Sequence, residues 1–328
     1  MRRTNRRQWI QQATALGIAA GATNVVSGFG RGQEAVARAA RIATPDTTRF
    51  FSGFKPFRVT TSGAEINGVI GGQGPPLLLL HGAPQMHITW RLVAPALARE
   101  YTVVVPDLRG YGFSSKPPDG ENHANYSKRA MALDQVEVMR QFGFETFPVI
   151  GQDRGGRVAQ RMALDHADRV TRLAVLDIIP TYYLYTHTNL AFVQAYYHWF
   201  SYLRRAPIPE NELTAAAKAQ AGRERTDVQQ VYYQASSHPD NIHGMCEDYR
   251  AGASIDLEHD AADLSTKIAC PVRVLWAEKG AMGRLYDVMA IWRDRATTVT
   301  GRSLPGGHNL QEDVPDMVIA EIQSLVRG

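Results

Sequence analysis

One aspartate stands where the chain could place a nucleophile. Asp153 is the centre of Gly151-Gln152-Asp153-Arg154-Gly155-Gly156, which follows the apolar residues 147–150 and precedes a helical pattern. This glycine spacing permits a tight strand-to-helix turn that exposes the central side chain. A carboxylate that attacks an alkyl carbon forms a hydrolysable ester, whereas attack on an acyl group would form an anhydride. The pattern favours carbon–halogen bonds or epoxides as substrates. The alternative is that Asp153 only caps the helix.

Two arginines follow the aspartate at a spacing that places them together. Arg154 and Arg157 are i and i+3 in the first turn of the predicted helix, so both lie on one face near its positive N-terminus. Such a pair suits a carboxylate on the substrate, because guanidinium groups bind carboxylates through two parallel hydrogen bonds. The alternative is that both pair with surface acids such as Asp165 or Asp168.

Further motifs give the chain a family resemblance. A histidine, His308, follows Gly306-Gly307 after the last predicted strand, where it could act as a base. From about Phe57 onward the chain resembles α/β-hydrolases of the haloacetate (fluoroacetate) dehalogenase family. The motifs that carry the resemblance are His81-Gly82-Ala83-Pro84-Gln85, Asp107-Leu108-Arg109-Gly110-Tyr111-Gly112, Asp153-Arg154-Gly155-Gly156-Arg157, Leu176-Asp177-Ile178-Ile179-Pro180-Thr181, His198-Trp199 and Met245-Cys246-Glu247-Asp248-Tyr249-Arg250.

The resemblance implies a role for each matched residue. It implies that Asp177 orients His308, although Glu278 follows the next strand and is a rival for this role. It also implies that the backbone N–H groups of Ala83 and Arg154 stabilise an oxyanion. The residues that it implies as hydrogen-bond donors to the halide are His198, Trp199 and Tyr249.

The implied reaction is hydrolysis of a short 2-haloacid, such as a haloacetate and including fluoroacetate, through an Asp153 ester. One alternative is an epoxide hydrolase with the same nucleophile, for which paired tyrosines among Tyr182, Tyr183 and Tyr185 would be needed. The simpler interpretation is that these tyrosine side chains pack in an aromatic segment. A second alternative is a binding protein for a small acid without turnover. The chain departs from the family at Gln152, where a histidine is usual, and its segment between Trp199 and Tyr249 is shorter.

The elements that must position these residues alternate between strand and helix. Two short strands are predicted at residues 57–61 and 66–70, followed by strands at 77–80, 102–105, 147–150, 172–176, 272–276 and near 297–300. Helices are predicted at 90–99, 127–142, 154–165, near 286–292 and at 314–326. This alternation is typical of an α/β fold with a mostly parallel sheet. Residues 57–177 and 266–328 form the predicted core, and residues 178–265, which are helical and aromatic, form a cap.

The N-terminal segment explains the basic composition. The chain has a net charge of +4, but residues 1–39 contain six arginines and one glutamate, so the rest carries about −1. The run Asn5-Arg6-Arg7-Gln8-Trp9 and the apolar stretch after it resemble a twin-arginine signal, with cleavage near Ala37 or Ala39. Residues 1–39 are therefore predicted to be a signal peptide and residues 40–56 a linker. The alternative is a basic amphipathic surface helix.

Composition and motifs also limit the partners. The export machinery and a small anionic substrate are the expected partners, and the expected location is the periplasm. Nucleic acid and stable membrane insertion after cleavage are not expected, and a homodimer is compatible with the sequence. Metal and cofactor motifs are absent from the sequence, so neither group is predicted. Cys246 and Cys270 are predicted to be free and buried.

Overall fold

The computed structural model describes residues 45–328. The predicted signal peptide and its cleavage sites lie outside these residues. The eight strands are β1 (Phe54–Thr60), β2 (Glu65–Gly71), β3 (Pro76–Leu80), β4 (Thr102–Pro106), β5 (Phe147–Gln152), β6 (Val170–Leu176), β7 (Val272–Ala277) and β8 (Val299–Leu304). Their order in the sheet is β1-β2-β4-β3-β5-β6-β7-β8. The two pairs that involve β2 are antiparallel and the others are parallel, so the predicted α/β fold with a mostly parallel sheet is confirmed.

The sheet is buried on both faces because its strands are apolar throughout. Leu78 and Leu80 of β3 belong to one hydrophobic cluster, and Leu77 and Leu79 belong to the other. Alternate residues of a strand point to opposite faces, so a continuous run of leucines fills the core above and below the sheet.

Helices cover the sheet and form a separate layer over one of its edges. They are α1 (Ala94–Leu97), α2 (Lys128–Gln141), α3 (Arg154–Asp165), α4 (Thr181–Thr186), α5 (Leu190–Ala195), α6 (Tyr197–Tyr202), α7 (Ile208–Lys218), α8 (Asp227–Ser236), α9 (Pro239–Gly252), α10 (Ile255–Ala262), α11 (Ala281–Leu285), α12 (Val288–Arg295), α13 (Leu310–Asp313) and α14 (Pro315–Arg327). Three 3₁₀ helices span Thr48–Phe50, His87–Trp90 and Glu121–Tyr126. The seven helices α4 to α10 lie between β6 and β7 in the chain and are called the cap below.

Several predicted boundaries were wrong. The predicted linker reaches residue 56, but β1 begins at Phe54 and the ring of Phe51 is buried in the core. The predicted helix at residues 90–99 is the end of a 3₁₀ turn followed, after a break, by the four residues of α1, whose second residue is Pro95. The predicted helix near residues 286–292 corresponds to α12, which begins two residues later at Val288 and ends three residues later at Arg295, because the backbone of Tyr286 is extended.

Two other features bear on the sequence predictions. Both cysteines are free, Cys246 buried and Cys270 only partly so, and burial raises the pKa of the Cys246 thiol to about 12. Within residues 45–328, every helix is too short or too polar to span a bilayer.

Candidate active site

The turn after β5 holds Asp153 in a strained backbone conformation. Its φ is +47° and its ψ is −118°, a region that residues other than glycine rarely adopt. The neighbouring glycines are required by space, since a Cβ on Gly151 would lie 2.4 Å from the carbonyl oxygen of Gly155. A Cβ on Gly155 would lie 2.4 Å from the carbonyl oxygen of His81. The close packing of α3 against β3 therefore fixes the turn and lifts the Asp153 side chain above the carboxyl end of the sheet.

Asp153 is not used as a helix cap. It precedes α3, but its side chain makes no capping hydrogen bond. One carboxylate oxygen instead accepts a hydrogen bond from the backbone N–H of Ala83 at 3.1 Å, and the other lies 3.7 Å from Nε2 of His308. Burial opposes ionisation, but the nearby His308 imidazole, with the charges of Arg154 and Arg157, holds the pKa of Asp153 well below its usual range. The low pKa keeps the carboxylate ionised at neutral pH, the state in which it could act as a nucleophile.

His308 is oriented by Asp177, which immediately follows β6, the strand paired with β5. The imidazole Nδ1 lies 2.6 Å from Oδ2 of Asp177, whose other oxygen accepts the backbone N–H of Ala277 at 2.9 Å. Glu278, the rival acid, is exposed. Burial lowers the pKa of His308, but the hydrogen bonds to Asp153 and Asp177 outweigh it and raise this pKa to about 10.

Gln152 contacts the histidine from the strand side. Its side-chain nitrogen donates to the carbonyl oxygen of His308 at 3.2 Å and lies 3.2 Å from Nε2 of the same residue. The residue at which the chain departs from the family therefore contacts His308 directly.

Arg154 is fully buried and held by an acid that the sequence reasoning did not single out. Its Nε donates to Oδ2 of Asp248 at 2.8 Å, and its Nη2 donates to the Asp248 carbonyl oxygen at 2.7 Å. Asp248 also accepts hydrogen bonds from Lys128 and from the hydroxyl of Tyr111. Within the described part of the chain, Nη1 of Arg154 is buried without a partner. The arginine is thus fixed in place with one N–H group left for a ligand.

Arg157 has a similar arrangement. Its Nη1 donates to the carbonyl oxygen of Ile179 at 3.1 Å and to the hydroxyl of Thr181 at 2.9 Å, while its Nε is buried with no partner among residues 45–328. Burial and the neighbouring charge of Arg154 lower the pKa of Arg157. The alternative that the arginines pair with surface acids is wrong for Asp165, which pairs with Arg129 and Arg161. Two buried cations with unpaired donors form a site for an anion.

The three cap residues implied as halide donors lie together over the arginines. The Trp199 and Tyr249 rings meet edge to face with centroids 5.4 Å apart, and the His198 ring is 6.5 Å from that of Tyr249. The guanidinium carbon of Arg154 lies 4.4 Å from the Tyr249 centroid, and that of Arg157 lies 4.9 Å from the Trp199 centroid. Burial and the charge of Asp153 raise the pKa of Tyr249 well above its ordinary value, so its hydroxyl stays a donor.

Tyr185 is a further residue whose polar atom faces this region. Its hydroxyl is buried with no hydrogen-bond partner in the described chain, and its ring lies 5.8 Å from that of Trp199. Burial raises its pKa, while the charges of Arg154 and Arg157 act in the opposite direction. By contrast, Tyr183 stacks on His187 at 3.9 Å. The sequence offered no signal that separates Tyr185 from its neighbours.

A cavity of about 320 Å³, called the chamber below, adjoins the site. It lies between the Ala83-Pro84 loop and cap helices α6 to α9, and His198 and Tyr249 form part of its wall.

Elsewhere in the described residues, Asp119, His243 and Glu247 have potential metal-ligand atoms within 4.8 Å of one another, but these side chains are engaged in ion pairs.

Comparisons with known proteins agree with this geometry. The alpha/beta hydrolase fold family matches residues 75–315. A fluoroacetate dehalogenase from Burkholderia sp is 46% identical over 278 residues, which cover 81% of this chain and 91% of that protein. A soluble epoxide hydrolase from Corynebacterium sp. (strain C12) is 33% identical over 288 residues, covering 80% of this chain and 95% of its own length.

A solved structure of a putative alpha/beta hydrolase from Nostoc sp is 49% identical and superposes with a TM-score of 0.81, covering 84% of this chain and 99% of that one. Fold, motif order and identity over most of the length coincide. The chain belongs to the α/β-hydrolase family and, within it, to the haloacetate dehalogenases.

Proposed function

We propose that the chain hydrolyses short 2-haloacids, haloacetates including fluoroacetate among them, to the 2-hydroxy acid and halide through an ester on Asp153. The observation that carries the proposal is the buried, ionised Asp153 carboxylate beside two arginines that each keep one unpaired buried N–H group. A neutral substrate would leave both donors unsatisfied, and an unsatisfied buried donor costs about 1 to 3 kcal/mol.

In the first step, an oxygen of Asp153 attacks C2 of the substrate. The new C–O bond forms as the carbon–halogen bond breaks, and the bonding electron pair leaves with the halide. Nη1 of Arg154 and Nε of Arg157 hold the substrate carboxylate. The donors available to the departing halide come from His198, Trp199 and Tyr249, which is useful because fluoride leaves poorly unless its charge is hydrogen-bonded. The Tyr185 hydroxyl is a third donor for the carboxylate.

The second step begins when esterification removes the charge of Asp153. His308 then loses one of the two carboxylates that raise its pKa and releases its proton to solvent, and the neutral imidazole takes a proton from water. The hydroxide attacks Cγ of Asp153, and the oxyanion accepts from the N–H groups of Ala83 and Arg154. Arg154 begins α3, so its N–H has no acceptor within the helix. As the tetrahedral intermediate collapses, the proton on His308 passes to the leaving alkoxide oxygen of the 2-hydroxy acid. The carboxylic acid left on Asp153 then gives its proton to His308, which restores the carboxylate.

A single turnover in H₂¹⁸O tests the covalent step. With enzyme in excess over bromoacetate, ¹⁸O enters the Asp153 carboxylate and is seen by mass spectrometry of the peptide that contains it. The first glycolate released carries no label from the solvent. Labelled glycolate with unlabelled Asp153 would show direct attack by water and refute the mechanism. Asp153→Asn is expected to abolish halide release.

An epoxide hydrolase is the second candidate, and the observation that favours it is the 33% identity to the Corynebacterium enzyme. The two arginines separate the candidates. Arg157→Lys is expected to raise the KM for a haloacetate at least tenfold, because lysine lacks the planar guanidinium group whose N–H donors match a carboxylate. An epoxide converted to its diol at a rate unaffected by this change would favour the second candidate. Calorimetric binding of a haloacid with no product would indicate the binding protein instead.

A further inference from the structure

The chamber borders the proposed reaction centre through shared residues. Ala83 lines it, and the N–H group of the same residue donates to the nucleophile at 3.1 Å. His198 and Tyr249 line both the chamber and the halide side of the site. A group attached to C2 of a bound haloacid, and directed away from the arginines, would enter this space.

The walls of the chamber suit an uncharged apolar group. Pro84, Leu213, Ala217, Ile242 and Met245 contribute carbon surface. Among the described residues that line it, the polar groups are hydroxyls, an amide and the His198 imidazole, and carboxylates and cationic side chains are absent. Ile242 and Met245 are buried, whereas Ala216 and Gln220 are exposed, so the apolar floor lies inside the protein and the mouth opens beside α7.

The size of the chamber exceeds what a haloacetate needs. Pockets of about 300 Å³ and more hold ligands of drug size, and the carboxylate and the halogen of a haloacetate already have their own donors. Resting on the proposed function, we propose that the preferred substrates are 2-haloacids with a linear alkyl tail, and that the tail occupies the chamber. Each methylene moved from water to this surface is expected to raise kcat/KM up to about fourfold.

Halide release from a series of acids tests the proposal. 2-Bromopropanoate, 2-bromobutanoate and 2-bromohexanoate all react at a secondary carbon, so differences among them report the tail rather than the intrinsic ease of displacement. We expect kcat/KM to rise along this series by about tenfold or more in total. A constant or falling kcat/KM would overturn the chamber as a tail site and would reduce it to an access route. Bromoacetate measured alongside reports the proposed function itself, which fails if no bromide is released from any of the acids.

Filling the chamber with a larger side chain should remove the preference for substrates with long alkyl tails. Ala217 faces the chamber from α7, whereas Ala215 is exposed on the same helix and does not line it. Ala217→Phe is expected to lower kcat/KM for 2-bromohexanoate at least tenfold and to leave bromoacetate within twofold. Ala215→Phe, the matched control, should leave both substrates unchanged. Equal effects of the two variants on 2-bromohexanoate would contradict the proposal.

Binding can be followed without turnover. Calorimetry of the wild-type protein with acetate, butanoate and hexanoate is expected to give a Kd that falls with tail length, and Ala217→Phe should reverse this trend. Hexanoate bound no more tightly than acetate would overturn the chamber proposal even where bromoacetate is hydrolysed.

Discussion

Removing the charge of Asp248 is expected to reduce both stability and substrate binding. Asp248 is fully buried, and its side chain and carbonyl oxygen hold Arg154 through bonds of 2.7 to 2.9 Å. The same carboxylate accepts from Lys128 and from Tyr111. Asp248→Asn keeps the shape of the side chain but leaves two buried cations without one of their counter-charges. Loss of one partner of a buried ion pair costs about 3 to 5 kcal/mol.

The effect on activity follows from the position of Arg154. A charge-assisted hydrogen bond is worth about 1.5 to 3 kcal/mol, so misplacing the Arg154 donor should lower kcat/KM for a haloacetate about 10- to 150-fold, mainly through KM. Asp256 provides a matched control because it is also buried and accepts from Nζ of Lys128 at 3.1 Å. Asp256→Asn should lose stability without the rise in KM.

Urea unfolding followed by circular dichroism gives the free energy of unfolding, and steady-state halide release on the folded fraction gives KM and kcat. If Asp248→Asn leaves KM within twofold, or if both variants raise KM equally, the carboxylate does not act through Arg154. In that case Asp248 would be only a structural partner of Lys128.

Three further predictions follow from the site and the N-terminal segment. The pKa of His308 is raised in the folded protein to about 10, so its contribution to stability is present below its unfolded pKa near 6.5 and is lost as the pH rises through the folded pKa. His308→Gln should therefore flatten the fall in unfolding free energy between these two pH values. Parallel curves of unfolding free energy against pH for the two proteins would contradict this prediction. Tyr185→Phe removes a buried hydroxyl that has no partner among the described residues, so we expect the free energy of unfolding to rise by about 1 kcal/mol while KM for a haloacetate increases several-fold. Tyr183→Phe is the control. An unchanged KM in Tyr185→Phe would exclude Tyr185 from the carboxylate site. A reporter fused after Ala39 should reach the periplasm and stay in the cytoplasm when Arg6 and Arg7 are both changed to lysine; export of the altered fusion, or retention of the unaltered one, would be evidence against a twin-arginine signal.

Local sequence patterns identified the elements that surround the site. The apolar run of β3 and the glycines around Asp153 each satisfy a short-range requirement, burial on two faces in one case and close backbone approach in the other. The predicted α3, residues 154–165, agrees with the structure to the residue. Boundaries were less well predicted where a turn interrupts a helical pattern, as within residues 90–99, because hydrophobic spacing is similar on both sides of such a break.

The sequence by itself determined the chemistry available to this protein: an aspartate on a strained turn, a histidine after the last strand, and two arginines on one helix face. These are properties of residue type and local spacing, which short-range sterics and hydrogen bonding enforce. Tertiary structure alone decided which acid orients the histidine, which acid holds Arg154, and how much space lies beyond the reaction centre. Asp177, Asp248 and the chamber walls come from strands and helices far apart in the chain, and packing of the cap against the sheet brings them together. Such contacts depend on the sum of many weak interactions across the core, which no local pattern encodes.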